Sequence, residues 1–388
     1  MLGLFKKEAP ERMAPEGKAP DRKASAAGPV VAFHGAGRVA WSGRDTATLT
    51  RVGFTANPVG FRCVKLIAEA AAAVPFTLSD AQRRYETHPV LDLLTRPNGG
   101  QGAAELMEAF YGQLLLSGNA YMEAVAGGEV PLELHVLRSD RMRVVPGTDG
   151  WPVGYDYSVG AKKHRFAAEA ICHVRGWHPT DDHYGLSPMQ AAATAVDVHN
   201  AASRWSKALL DNAARPSGAI VYRSVDGAGV LAADQYDRLK AELEGQHQGA
   251  ANAGRPMLLE GGLDWKPMGF SPSDMEFQKT KEAAAREIAL AFGVPPMLLG
   301  LPGDATYANY AEANRAFYRL TVLPLVGKVA GALSQWLPGM AGTRLRPDLD
   351  GVPALALERE AQWRRISEAD FLTEDEKRGL LGLPPRAV

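Results

Sequence analysis

The chain has 388 residues, 46% hydrophobic and 22% charged, enough to bury a core in two or more folding units. Its 43 Lys and Arg against 44 Asp and Glu leave a formal net charge of −1, which excludes the basic excess of a protein that grips nucleic-acid phosphates tightly. No run reaches the roughly 18 uninterrupted apolar residues of a membrane span, and Cys63 and Cys172, outside any CxxC spacing, read as reduced, buried thiols of a cytoplasmic protein.

Residues 1–28 mix charges, alanines and regularly placed prolines (Pro10, Pro15, Pro20), the composition of a disordered arm without the apolar centre of a secretory signal. The ordered fold is expected to begin between residues 28 and 50. Three helix starts then share one grammar, a polar cap followed by proline: Asn57-Pro58, Ser187-Pro188 and Ser271-Pro272. The cap side chain accepts an amide hydrogen bond, and proline loses nothing where the amide has no partner.

After Asn57, the residues Val59, Cys63, Leu66, Ile67 and Ala70 share a helical face until Pro75. Residues 105–118 form a second amphipathic helix ending at Gly118. From Asn119 to about Cys172 the pattern becomes short strands, "AYMEAV", "ELHVL", "MRVVPG", "GYDYSV" and "AICHVRG", separated by Gly, Pro and Asp turns. A long helix is predicted over 187–213, with Met189, Ala192, Ala193, Val196, Asn200 and Ser203 on a face of mostly small residues. Then come strand 218–223, helix 234–246 and strand 256–261, a self-contained β-α-β insert.

A second long helix, 271–293, carries a favourable Glu282–Arg286 pair. Next is "VPPMLLGLPGDA", a glycine-studded loop with bare leucines between two helices. Bare leucines in a loop mean that something unusual faces them. The following helix spans 306–337 with Thr306 as its cap, and Pro324 should kink it. Residues 366–385 read as two short helices separated near Thr373.

Catalytic signatures are weak. His173, His178, Asp181, Asp182 and His183 are dense in metal-binding groups, which motivates a metal-dependent hydrolase as an alternative function. Their spacing lacks the i,i+4 helical pair, and Gly176 and Pro179 favour a solvated turn. "GLSP" lacks the last glycine of a nucleophile elbow, "HGAGR" is half a dinucleotide fingerprint beside the arm, and no Walker motif occurs.

The stretches "NPVGFRCVKLIAEAAAAVPFTL", "HPVLDLLTRPN", "GQLLLSGNAYMEAV", "ICHVRG", "GLSPMQAA", "ARPSG" and "EIALAFGVPPMLLG…TYANYAEANRAFYR" lie in order over about residues 50–340. Together they resemble the tailed-phage portal protein family. The alanine-rich arm, "GRVAW" and "NPVGFR" are most similar to the version carried by bacterial gene transfer agents.

The resemblance implies an α+β portal-type fold. Its parts would be a wing over 29–186, a first stem helix over 187–214 and a clip over 215–268. A second stem helix over 269–293, a tunnel loop over 294–309, a kinked helix returning to the wing over 307–357 and a crown over 358–388 complete it. It implies a non-enzymatic ring, usually dodecameric, at one capsid vertex. The ring would pass double-stranded DNA irrespective of sequence and contact the major capsid protein, the large terminase and a head–tail adaptor. It would need no cofactor, metal or membrane, and would assemble in the bacterial cytoplasm into a virion or transfer-agent particle.

The tunnel-loop candidates are Leu298, Leu299, Gly300, Leu301, Gly303, Asp304, Tyr307 and Asn309. The candidate channel charges are Lys207, Lys279, Lys281 and Arg286, and Pro324 marks the kink. A near-neutral channel suits DNA passage, since every phosphate bound tightly must be released before the next step. A capsid-associated adaptor without DNA passage is the remaining alternative.

Overall fold

A computed structural model of the protein describes residues 41–128, 130–211, 218–222, 238, 263–267, 277–302, 307–383 and 385. The arm (1–28), the "HGAGR" stretch and the Ser271-Pro272 start lie outside the described residues.

The first helices form where their caps predict. A short helix α1 (Thr46–Leu49) runs into a π-helical stretch (Thr50–Thr55) and then α2 (Pro58–Ala72). The Asn57 carboxamide accepts from the amides of Val59 and Gly60, and its own NH2 reaches His199 Nδ1 at 3.2 Å and Asn200 Oδ1 at 2.9 Å. One buried side chain thus caps α2 and ties it to a helix more than a hundred residues downstream.

Helix α3 (Pro89–Thr95) leads to α4 (Ala103–Ser117), whose Leu106, Met107, Phe110, Tyr111, Leu114 and Leu115 recur at helical spacing and are all buried. Gly118, at φ +76°, ends α4 as expected.

Strand β1 (Phe76–Ser79), β2 (Arg84–Tyr85), β3 (Asn119–Val125) and β4 (Glu133–Leu137) precede a second group of strands. These are β5 (Met142–Pro146), β6 (Pro152–Val159), β7 (Lys162–Ala167) and β8 (Ile171–Arg175). They make two antiparallel three-stranded sheets, in the orders β4-β3-β8 and β5-β6-β7. Strand β3 is buried on both faces. Ala120 and Met122 enter the main core, whereas Tyr121 joins a smaller core with Leu137, Met142, Val144, Tyr155 and Ile171. Period-two alternation therefore divides one central strand between two cores.

Strand β7 was absent from the sequence reading because "KKHRFA" is charged and buries only Phe166. It is an edge strand, where charge is tolerated and serves to block further pairing.

The helix predicted over 187–213 is interrupted at Ala192. It comprises α5 (Pro188–Ala191), capped by Ser187 Oγ accepting from the Gln190 amide, and α6 (Ala193–Asp211). Met189, Ala192, Ala193 and Val196 are buried as the small-residue face predicts. In the insert, strand β9 (Gly218–Tyr222) forms as expected and pairs antiparallel with β10 (Leu263–Pro267). The expected strand 256–261 and all of helix 234–246 except Arg238 lie outside the described residues.

Helix α7 (Phe277–Ala291) is followed by α8 (Tyr307–Phe317), a π-helical segment (Tyr318–Val322) and α9 (Leu323–Trp336). A further strand, β11 (Arg344–Pro347), returns to pair with β1 and gives a third sheet in the order β11-β1-β2. The end of the chain departs from the expectation of two helices within 366–385: α10 (Ala356–Ser367) lies earlier, and only α11 (Glu374–Leu380) follows. Thr373 does mark the break, as the N-cap of α11 in a capping box with Glu376.

The stretch Asn309–Trp336 is long and apolar enough, by length and composition, to cross a membrane, and 33% of its apolar window is buried within the subunit. Val326, Val329, Ala330 and Leu333 enter the main core, Lys328 Nζ donates to the Arg175 carbonyl and Trp336 Nε1 to the Glu169 carbonyl.

Candidate functional site

The long helices α6 and α7 lie against each other. Their buried apolar residues are small or branched, Val196 and Ala202 on α6 and Ala284, Ala285, Ile288 and Ala289 on α7, beside the buried polar Asp197 and His199 of α6. Small side chains let two backbones approach closely, so the pair forms a stiff rod. The strands β9 and β10 fall between these helices in the chain, which is the order expected of stem, clip and stem.

Among the candidate charges, Lys207 and Lys279 are exposed and Lys281 is partly buried. Burial first, and then the Lys281 ammonium, lower the pKa of His199 on α6. Arg286 is exposed, but the expected Glu282–Arg286 pair is replaced by two other contacts. The Arg286 guanidinium donates to the Pro302 carbonyl, and Glu282 accepts from Gln278 Nε2 at 3.1 Å. Arg286 thereby fastens the second long helix to the loop that follows it.

That loop begins with a tightly built helix end. The Gly293 amide bonds the Leu290 carbonyl at 3.0 Å and the Val294 amide bonds the Ala289 carbonyl at 2.9 Å, with Gly293 at φ +65°. This is a Schellman stop, which needs a residue free of the Cβ penalty. Thr321 Oγ1 donates to the Gly293 carbonyl at 2.6 Å, so the stop is pinned to the π-helical segment across the loop.

Pro296–Leu299 then form one 3₁₀ turn, closed by Gly300 at φ +70°, and the Leu301 amide returns to the Pro296 carbonyl at 3.2 Å. Leu298 and Leu299 are partly buried against the main core. Two of the leucines that looked bare in the sequence are therefore anchors within their own subunit. Leu301 is also partly buried, whereas Gly300 is exposed with open space around it. Gly303 and Asp304 lie outside the described residues, as does the side chain of Tyr307, the first residue of α8; Asn309 is exposed.

The sequence places a kink at Pro324; the structure shows a change of helix type in the turn before it. Pro324 is the second residue of α9, and the turn before it is π-helical, with the Leu323 amide bonded to the Tyr318 carbonyl. Proline offers no amide to the carbonyl four residues back and crowds it. Widening the preceding turn relieves that conflict.

The histidine-rich segment has a different part. His173 on β8 bonds Asn119 Oδ1 at 3.0 Å and stacks on Tyr121 at a centroid distance of 4.2 Å. Burial, with Arg175 and His183 nearby, lowers its pKa to about 3. Asp181 Oδ1 accepts from the amides of His183 and Tyr184, both at 2.9 Å, and the His178 ring accepts from the Thr180 amide. These are turn-forming bonds. Among the described residues, no three His, Cys, Asp or Glu side chains gather as a metal site would require.

The segment instead borders a cleft of about 640 Å³ between the sheets β4-β3-β8 and β5-β6-β7 and the start of α1. Its lining includes Arg44, Tyr121, Arg143, Asp181 and His183. The sequence reading missed this cleft because its walls come from four separated stretches. Cys63 and Cys172 are both buried, as expected, and burial pushes each thiol up to about 12.

Comparison with known proteins accords with this arrangement. The profile of the family described as "Phage portal protein" matches residues 58–382. The structure described as the neck of an empty GTA particle, with C6 symmetry, contains a chain 70% identical to this one. The match covers 90% of this chain and 96% of that one, with a TM-score of 0.72. The neck of a native GTA particle, with C12 symmetry, contains one 69% identical over the same shares, with a TM-score of 0.70. The portal protein of Enterobacteria phage HK97 is 27% identical over 340 residues, 84% of this chain and 78% of that protein. With the family profile spanning most of its length and the helix–insert–helix–loop order present in its structure, the chain belongs to the phage portal protein family.

Proposed function

We propose that twelve copies of this chain form the portal ring in the neck of a gene transfer agent particle, set at one capsid vertex. The ring's axial channel passes double-stranded DNA inward during packaging and outward on delivery. In this reading the large terminase docks on the ring during packaging, a head–tail adaptor replaces it afterwards, and the major capsid protein surrounds the wing. Portal proteins are structural rather than enzymatic, so the hydrolase alternative is set aside.

The observation that carries the reading is the loop. It hangs from a Schellman stop on α7 and is fastened by Arg286 and by Leu298 and Leu299, with Gly300 exposed at the end of its 3₁₀ turn. Leu301, Gly303, Asp304, Tyr307 and Asn309 then face the channel, while Lys207, Lys279 and Lys281 on the stem supply dispersed positive charge. Weak, repeated contact is what a moving duplex requires, and the chain's net charge of −1 fits it.

The test is to delete residues 303–305, sparing Leu298, Leu299 and the Pro302 carbonyl that Arg286 binds, and to measure ring assembly and DNA content per particle. Rings should assemble normally and DNA content should fall several-fold. Particles filled to the normal level would refute the channel role of this loop and favour an adaptor without DNA passage.

A further inference from the structure

The wing cleft contains donors without acceptors. Tyr121 is fully buried and its hydroxyl has no hydrogen-bond partner among the described residues; His183 is 5% exposed and neither ring nitrogen has one there. Arg44 gives one guanidinium nitrogen to Thr194 Oγ1 at 3.2 Å, and its other terminal nitrogen, buried, has no partner among the described residues. All three side chains line the same cleft. Tyr184, also on the wall, accepts from the Val144 amide at 3.0 Å, which leaves its O–H free to donate inward.

The acceptors on the wall are already engaged. Asp140 takes a two-pronged bond from Arg138 at 3.0 and 2.7 Å, Asp181 accepts two backbone amides, and Asp45 caps α1 through the Thr48 amide. The two cations of the wall, Arg44 and Arg143, form no ion pair among the described residues. A buried polar group without a partner is costly, and the Tyr121 hydroxyl and the Arg44 guanidinium, both lacking an acceptor at one cleft, specify what is missing; the His183 ring can add one further N–H.

We infer that this cleft binds a small molecule bearing an oxyanion, a phosphate or a carboxylate, held by the Arg44 guanidinium, the Tyr121 hydroxyl and the His183 ring. The volume leaves room for a body beyond the anionic head, within the ordinary range of small-molecule sites. Charge-assisted bonds from arginine to an oxyanion are the strong kind, and the apolar Met142 and Val144 on the same wall would meet the rest of the ligand. The inference concerns the wing alone and does not depend on the channel reading.

The test is calorimetric titration of the purified full-length protein, at constant ionic strength, with inorganic phosphate in one arm and succinate in the other. Chloride serves as the control. Saturable binding in either arm, weakened at least tenfold by Tyr121→Phe and by Arg44→Gln, is the expected result, and the arm that binds more tightly identifies the head group. Tyr121→Phe preserves ring shape, and equal unfolding midpoints without anion would show both variants folded. Absence of saturable binding of the wild-type protein in both arms would overturn the inference, as would binding undiminished in both variants.

Discussion

Gly118 and Gly185 sit where three pieces of chain meet, the end of α4, the end of β8 and the turn before α5. A Cβ on Gly118 would lie 2.3 Å from the Gly185 carbonyl oxygen, and one on Gly185 would lie 2.1 Å from that of Gly118. Backbone cannot yield as a side chain can, and Gly118 also has positive φ. Gly118→Ala should therefore destabilise the wing by about 2–4 kcal/mol, combining the left-handed penalty with overpacking. A denaturant titration followed by Trp fluorescence would measure this; an unchanged midpoint would contradict the close approach.

His173 sets a pH dependence. Its folded pKa, near 3, lies below the ordinary histidine value of 6.5, so the neutral ring is the one the fold accepts. Stability from this group is intact above about pH 6.5 and declines as pH falls toward 3, because the unfolded chain takes up the proton first. The slope is up to about 1.4 kcal/mol per pH unit. Denaturation at pH 7, 5 and 4 should show that slope in the wild type and a shallower one in His173→Gln. The sequence marked His173 as chemically interesting, but its role was illegible there: Asn119 and Tyr121, which determine it, come from a strand more than fifty residues away.

At the scale of the element, caps and stops were the most legible features. Asn57, Ser187, Gly118 and Thr373 act where their local sequence places them, because a cap depends only on the next few amides. Thr373→Ala should free α11 by about 1 kcal/mol, seen as roughly fivefold faster amide exchange over residues 374–380. Unchanged exchange would mean that tertiary contacts, rather than the capping box, hold the helix. The strands that escaped notice, β1, β2, β7, β10 and β11, are short or charged; β1 and β11 are defined by pairing across most of the chain, whereas β7 is the charged edge of a local hairpin with β6. Pro324 announced an irregular helix, yet only the fold shows that the turn before it widens.

For the whole molecule, Leu290 on α7 and Leu320 in the π-helical segment are 79% and 74% exposed in a single subunit. Apolar side chains on elements flanking the loop fit contacts between copies in a ring. Leu290→Asp and Leu320→Asp should leave the subunit's circular dichroism unchanged and reduce rings in favour of monomers, as read by mass photometry. Undiminished ring formation by both variants would place the interface elsewhere.

What the sequence determined by itself was the local grammar: where helices start and stop, which strands alternate, and the order of helix, insert, helix and loop that carries the portal resemblance. These follow from interactions within a few residues or from the succession of elements. Only the tertiary structure decided that Leu298 and Leu299 anchor the loop, that Arg286 binds the Pro302 carbonyl, and that Tyr121, His183 and Arg44 share one cleft. Burial and hydrogen-bond satisfaction depend on residues far apart in the chain, and no local pattern encodes which of them will meet.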